Sequence, residues 1–230
     1  MNDHLIQNWK LSPSDLTFLW DECKRCFYLK VKHNFRRPSA PFPKIFGLID
    51  GLMKNIYLEQ STKKISPTLP EGRSMMAGRW VTSEQIRLPG HAHACYIQGI
   101  FDTVVRFEDG TYGVVDFKTT TVKDEHALFY SRQLWAYAYA LEHPMPGKLH
   151  LEPVTRLGLL CFDPQDMLEQ PESGLSLLGP ATWVEIPKDE AAFLSMIDEV
   201  LDVLEMPEPP EAGPDCGFCA YRDASRTTDF

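Results

Sequence analysis

No stretch of the 230 residues approaches the roughly 18 consecutive apolar residues of a membrane-spanning helix, which excludes such a span. Residues 1–10 lack the basic-then-apolar pattern of a secretory leader, so the expectation is an intracellular, cytoplasmic protein without a membrane partner. Cysteine is scarce: six residues are too few for a disulfide scaffold, and in a reducing compartment clustered cysteines are more often metal ligands than bridges. No internal repeat is visible, so a solenoid is not indicated. What is present is ordinary for a globular chain, with 43% hydrophobic, 11% aromatic and 24% charged residues, which speaks against whole-chain disorder. One large domain over 1–230 fits this length better than two.

Charge of one sign is missing locally. Between Lys24 and Lys44 stand seven basic residues (Lys24, Arg25, Lys30, Lys32, Arg36, Arg37, Lys44) and no acid. From Leu160 to Asp215, Lys188 is the single base among fourteen Asp or Glu. The formal charge of −9 repels nucleic acid on average, but contact depends on the local field, which the basic stretch can supply. A solvated helix face accounts for these charges equally well.

Ser12-Pro13-Ser14-Asp15 has the chemistry of a helix start: Ser12 as N-cap, Pro13 at the first helical position, Asp15 on the positive end of the dipole. Leu16, Leu19, Trp20, Cys23 and Phe27 continue it at spacings of three and four. After the Pro-rich break at Pro38 to Pro43, a second helix is predicted from Ile45, Leu48, Ile49, Leu52, Met53 and Ile56. Residues 60–90, punctuated by Gly, Pro and Ser, yield no assignment. Ala94 to Phe107 and Tyr112 to Lys118 flank the turn Glu108-Asp109-Gly110 and predict a β-hairpin. Further along, a helix over Asp124 to Glu142, strands at Val154 to Phe162 and Ala181 to Ile186, and an amphipathic helix over Lys188 to Glu205 are expected. A Pro-rich linker, Pro207 to Pro214, leads to the last cysteine pair. Cys95 and Cys161 fall in apolar strand patterns and read as core, whereas His91 and His93 read as solvent-facing near a strand edge.

The most informative residues lie on the predicted hairpin. Antiparallel pairing about the turn can bring Asp102 close to Asp116. Asp116 and Lys118, two apart on one strand, share a face, with Phe117 directed into the opposite layer. Two carboxylates with an ammonium beside them suit a hard divalent cation and phosphodiester hydrolysis, in which the metal polarises the phosphoryl oxygen and the lysine positions or activates water.

Gly99-Ile100-Phe101-Asp102, Val114-Val115-Asp116-Phe117-Lys118-Thr119-Thr120 and, on the following helix, Gln133-Leu134-Trp135-Ala136-Tyr137 resemble the core motifs of the PD-(D/E)XK nuclease superfamily, in its RecB-like branch, which includes the CRISPR-adaptation exonucleases. The resemblance implies a restriction-endonuclease-like α/β core, a central mixed β-sheet flanked by helices. It implies Asp102 and Asp116 as metal ligands with the carbonyl of Phe117, Lys118 as the catalytic lysine, and Gln133 and Tyr137 as the helix motif that lies beside the metal and contacts the nucleic acid backbone. The family places a His or Glu on an upstream helix shortly after a Gly; Gly47-Leu48-Ile49-Asp50 puts Asp50 there, either as a third carboxylate ligand or as a plain helix residue. Glu59 and Glu84 are weaker candidates for that role.

Cys23-x-x-Cys26 and Cys216-x-x-Cys219 form two chelating pairs. Four thiolates can hold zinc tetrahedrally or ligate a cubic iron-sulfur cluster, and spacing alone does not choose. Their surroundings resemble the terminal cysteine segments of the RecB-like iron-sulfur nucleases, which commonly take one ligand from the N-terminal segment and three from the C-terminal one. The third C-terminal position is Ser225 here and Cys26 is an additional N-terminal cysteine, so this chain departs from that layout and a two-plus-two arrangement of Cys23, Cys26, Cys216 and Cys219 is expected instead, holding the 4Fe-4S cluster the resemblance implies, with Zn²⁺ as the alternative, and tying the N- and C-terminal segments together. The implied activity is Mg²⁺- or Mn²⁺-dependent cleavage of DNA, single-stranded or with free ends, with recombination, repair or CRISPR-adaptation proteins as partners. The alternative is a non-cleaving DNA- or partner-binding module that keeps the cysteine site as a structural element.

Overall fold

The computed structural model describes residues 7–39, 41–123, 125–171 and 174–227. In chain order it has β1 (Asn8–Leu11), a π-helical turn (Asp15–Leu19), α1 (Trp20–Glu22), α2 (Lys24–His33), α3 (Lys44–Tyr57), α4 (Thr62–Ile65), β2 (Gly72–Thr82), β3 (Ala94–Phe107) and β4 (Tyr112–Thr119). There follow α5 (Glu125–Glu142), β5 (Val154–Phe162), β6 (Asp166–Gln170), β7 (Gly174–Leu178), β8 (Ala181–Ile186), α6 (Glu190–Glu205) and α7 (Gly217–Thr227).

The hairpin forms as expected. Asp109 accepts from the Thr111 amide at 2.9 Å and Gly110 adopts φ 87°, so the turn closes where Glu108-Asp109-Gly110 predicts it. Around it assembles a six-stranded sheet, with β5 parallel to β4, β8 and β2 antiparallel to their neighbours, and β1 parallel to the start of β3. The sheet is therefore mixed, and helices cover both faces. On one face Val104, Val114, Leu157 and Leu159 pack with Leu134 and Ala138 of α5 and with Phe193, Ile197 and Leu201 of α6. On the other, Val105, Val115, Phe117 and Leu160 meet Ile49 and Met53 of α3. Adjacent residues of β4 thus feed opposite layers, as the two-residue period of a strand requires. Cys95 and Cys161 are fully buried. Among the described residues no helix is long and apolar enough to cross a membrane.

Helix α5 runs to Glu142 as expected, although its anticipated start, Asp124, lies outside the described residues. The N-terminal helix departs from its apolar spacing. Its first turns follow Ser12, whose carbonyl accepts from Leu16 at 3.1 Å, but they widen into the π-turn and stop at Cys23, which is extended at φ −164°. A fresh helix starts there because the Cys23 sulfur is needed elsewhere, as an acceptor for the Gly213 amide. The unassigned 60–90 region contains α4 and the long strand β2, bulged between Ser74 and Met76 and passing Gly78 at φ 63°. His91 and His93 are not solvent-facing. The His91 imidazole, 5% exposed, is clamped against α6, with Nε2 2.8 Å from Asp198 and Nδ1 3.4 Å from Glu205, and the His93 ring lies 5.0 Å from Trp9. The alternation that suggested exposure does not apply, because the strand begins only at Ala94.

Candidate active site and cysteine cage

The last paired positions of the β3–β4 ladder on this side are Thr103 and Val115. One residue further, the side chain of Asp102 takes over from the backbone, its Oδ2 accepting from the Phe117 amide at 2.8 Å. Asp102 and Asp116 are thereby brought together, as the hairpin predicts. Asp116 is almost enclosed, 3% exposed; its Oδ1 accepts from Gln133 Nε2 at 3.1 Å and its Oδ2 is ion-paired with the Lys118 ammonium. Gln133 Oε1 in turn accepts from Lys118 at 3.4 Å. Tyr137, one turn along α5, donates its hydroxyl to the Ile100 carbonyl at 2.6 Å, which locks the helix to β3 two residues from Asp102. Gly99 permits this closeness, since a Cβ there would stand 2.7 Å from Pro13 and 3.4 Å from the Tyr137 ring.

The electrostatics follow from burial. Desolvation pushes the Asp116 carboxyl up to about 7, with the Lys118 charge opposing the shift and Asp102 adding to it. Burial works against the Lys118 ammonium, but Asp116 and Asp102 overturn that and hold it above its ordinary range.

Asp50 does not reach this group directly. It pairs at 2.7 Å with Lys54, one turn along α3, and Lys54 Nζ lies 2.8 Å from Asp102 Oδ1. Lys54 therefore sits between the carboxylates, a residue not singled out in the sequence although its i,i+4 spacing from Asp50 was there to see. Glu84 belongs elsewhere, 4.0 Å from His143. Glu59 follows α3 in a left-handed conformation, φ 58°. Phe117 sends its side chain into the opposite layer, stacked 5.7 Å from Tyr57. The donor set fits a hard divalent cation: two adjoining carboxylates, one of them buried, whose remaining oxygens, Asp102 Oδ1 and Asp116 Oδ2, face the Lys54 and Lys118 ammonium groups that an ion could replace.

The four cysteines of the two pairs converge, with all ligand atoms within 4.8 Å of one another, the only such group of His, Cys, Asp or Glu among the described residues. Cys26 Sγ is 3.4 Å from Cys219 Sγ and 3.8 Å from Cys216 Sγ, and Cys23 Sγ is 3.8 Å from Cys219 Sγ. The two halves are built alike. Cys23 precedes α2 and Cys216 precedes α7, and in each the amide four residues on bonds back to the first cysteine's carbonyl, Phe27 at 3.1 Å and Ala220 at 3.0 Å. Burial works against a Cys23 thiolate, but the amides of Gly213 and Cys26 prevail and bring its thiol down to about 7. Burial drives Cys26 and Cys219 the other way. Arg37 Nη2 donates to Cys216 Sγ at 3.1 Å while pairing with Glu22 at 2.6 Å. Ser225 stands outside the cage, its hydroxyl donating to the Arg222 carbonyl on exposed α7.

A family model of the PD-(D/E)XK nuclease superfamily matches residues 51–224, three quarters of the chain, and the protein belongs to that superfamily. Among solved structures, the crystal structure of SSO0001 is similar at a TM-score of 0.46 and 13% identity, covering 90% of this chain and 82% of that one. No curated protein matches.

Proposed function

We propose that the chain, as one domain over 1–230, is a divalent-metal-dependent deoxyribonuclease of the RecB-like branch, acting on single-stranded DNA or DNA ends. The observation that carries this is the convergence of Asp102, Asp116, Lys118 and Gln133 within one hydrogen-bonded group. In this reading Asp102, Asp116 and the Phe117 carbonyl hold Mg²⁺ or Mn²⁺, and Asp50 joins them only if Lys54 swings aside. The bound ion would polarise a phosphoryl oxygen and stabilise its developing charge. Lys118 then orients water and offsets negative charge, Gln133 fixes both Asp116 and Lys118, and Tyr137 anchors the helix that carries Gln133.

The cysteine cage supports a metal as a structural clamp between the chain ends. The resemblance favours a 4Fe-4S cluster. The sulfur spacing favours a single tetrahedral ion: with Zn–S near 2.3 Å, sulfurs around one zinc lie ~3.8 Å apart, whereas a four-iron cube spreads its thiolates more widely. Zinc is therefore the reading we adopt, and iron, sulfide and zinc analysis of anaerobically purified protein separates the two. The decisive experiment for function is cleavage of end-labelled single- and double-stranded DNA with Mg²⁺ or Mn²⁺ by wild type and Lys118→Ala. Cutting by wild type alone supports the enzyme. If neither cuts although both bind DNA and carry the cysteine-bound metal, the non-cleaving module replaces it. Asp50→Asn tests the third ligand, with Mn²⁺ affinity falling about tenfold if Asp50 coordinates and unchanged if it only tethers Lys54.

A further inference from the structure

Phe18 lies on the π-turn, a widened helical geometry that concentrates at functional sites. Its neighbours Leu16 and Thr17 are buried, yet Phe18 is 44% exposed. Its ring meets Phe129 edge-on at 5.4 Å and Tyr130 at 5.9 Å, and those two rings are 5.0 Å apart. The far end of this aromatic run is the reaction centre, where Lys118 Nζ sits 4.8 Å from the Tyr130 ring centroid. The near end opens on a cleft of about 360 Å³ lined by Phe18, Lys30, Arg36 and Arg37. The acids in that cleft are already paired, Asp15 with Lys30 and Glu22 with Arg37, both at 2.6 Å. Arg36 bonds the Asn34 side chain at 3.2 Å and takes part in no ion pair among the described residues.

Aromatic faces followed by a free cation match the alternation of base and phosphate in a single strand. A base with its π-face free can stack on an exposed ring whatever its identity, whereas paired bases inside a duplex cannot. Resting on the nuclease reading above and deepening it, we propose that Phe18, backed by Phe129 and Tyr130, is the stacking platform for an unpaired base next to the phosphate held at Lys118, and that Arg36 takes a neighbouring phosphate. These are positioning residues that select unpaired DNA.

The test measures binding by fluorescence anisotropy without added divalent cations, using a short oligo(dT), an abasic strand of the same length and a duplex. Phe18→Ala is expected to weaken oligo(dT) about tenfold and to leave the abasic strand and the duplex unchanged. Phe18→Leu, which keeps an apolar side chain but cannot stack, is expected to behave the same, and Phe18→Trp to restore affinity. Arg36→Ala is expected to weaken oligo(dT) and abasic strands alike and to flatten the salt dependence. Equal losses on oligo(dT) and abasic strands in Phe18→Ala, no loss on either, or no oligo(dT) binding by wild type would overturn the proposal. The nuclease reading fails separately: if wild type shows this binding pattern and still cuts nothing in Mn²⁺, the platform stands and the enzyme does not.

Discussion

Two sites in this molecule crowd groups that repel one another once ionised, and they balance them differently. The carboxylate pocket carries its own countercharge: Lys54 of α3 and Lys118 of β4 sit against Asp102 and Asp116, which stand on strands of the central sheet. The cysteine cage gathers four sulfurs from segments 190 residues apart, with Arg37 as the cation in contact with a sulfur. A pocket neutralised by its own side chains can keep its shape without an ion, whereas thiolates that repel one another need a metal to hold them together. On the proposed reading, the comparison separates an ion that would do chemistry from one that would hold structure.

The sharpest way to break it is at the cage. Cys26→Ser, or stripping of the cysteine-bound metal, is expected to lower the midpoint of thermal unfolding by about 10 °C, because several kcal/mol of metal binding are lost and each shifts a chain of this size by a few degrees. Proteolysis should then begin in α2 and α7 while the sheet remains protected. On the other side, Lys118→Ala is expected to cut the cleavage rate by roughly 10²–10³-fold with little change in melting, since the Asp116 carboxyl, raised to about 7, can take up a proton in place of its lost partner. Equal damage to stability from both variants would erase the distinction.

Smaller effects refine the picture. Tyr137→Phe removes the hydroxyl that donates to the Ile100 carbonyl and is expected to cost about 1 kcal/mol in urea unfolding and about tenfold in cleavage, through loosening of Gln133. The smallest concerns His91. Burial works against its protonation, but Asp198 and Glu205 prevail and raise its pKa above the usual 6.5. Its clamp on α6 is therefore at full strength below about pH 6.5 and fades as pH climbs through the raised folded-state value. Wild type should lose a few degrees of melting temperature between pH 6 and pH 8 that His91→Gln does not lose.

How much of this was legible depends on whether pattern or packing decided it. The hairpin, α5, β5, β8 and α6 were readable because alternation, helical spacing and turn residues agreed, and Asp-x-Lys pointed to a candidate site on the hairpin. The ribbon of β6 and β7 escaped because its strands are exposed on both faces and carry no alternation to detect. Strand β2 was hidden by its glycines and its bulge. Apolar spacing ran unbroken from Leu16 to Phe27, so nothing marked the break at Cys23 or the π-turn that exposes Phe18; both answer to partners far away in sequence. Lys54 escaped because a lone lysine on an apolar helix belongs to no motif, although two adjoining carboxylates imply a nearby cation.

The Gly213 amide that bonds Cys23 joins segments 190 residues apart, and that carries a consequence for synthesis. A ribosome adding 5–20 residues per second needs roughly 10–40 s to travel from Cys26 to Cys216, and through that interval the first thiols have no partners. The sheet that carries the carboxylates ends with β8 at Ile186, so it is complete before the cage can close. A nascent or truncated chain that stops between Ile186 and Cys216 would hold Asp102, Asp116, Lys118 and Gln133 while Cys23 and Cys26 remained without their partners, so closure of the cage reports that translation has passed Cys219.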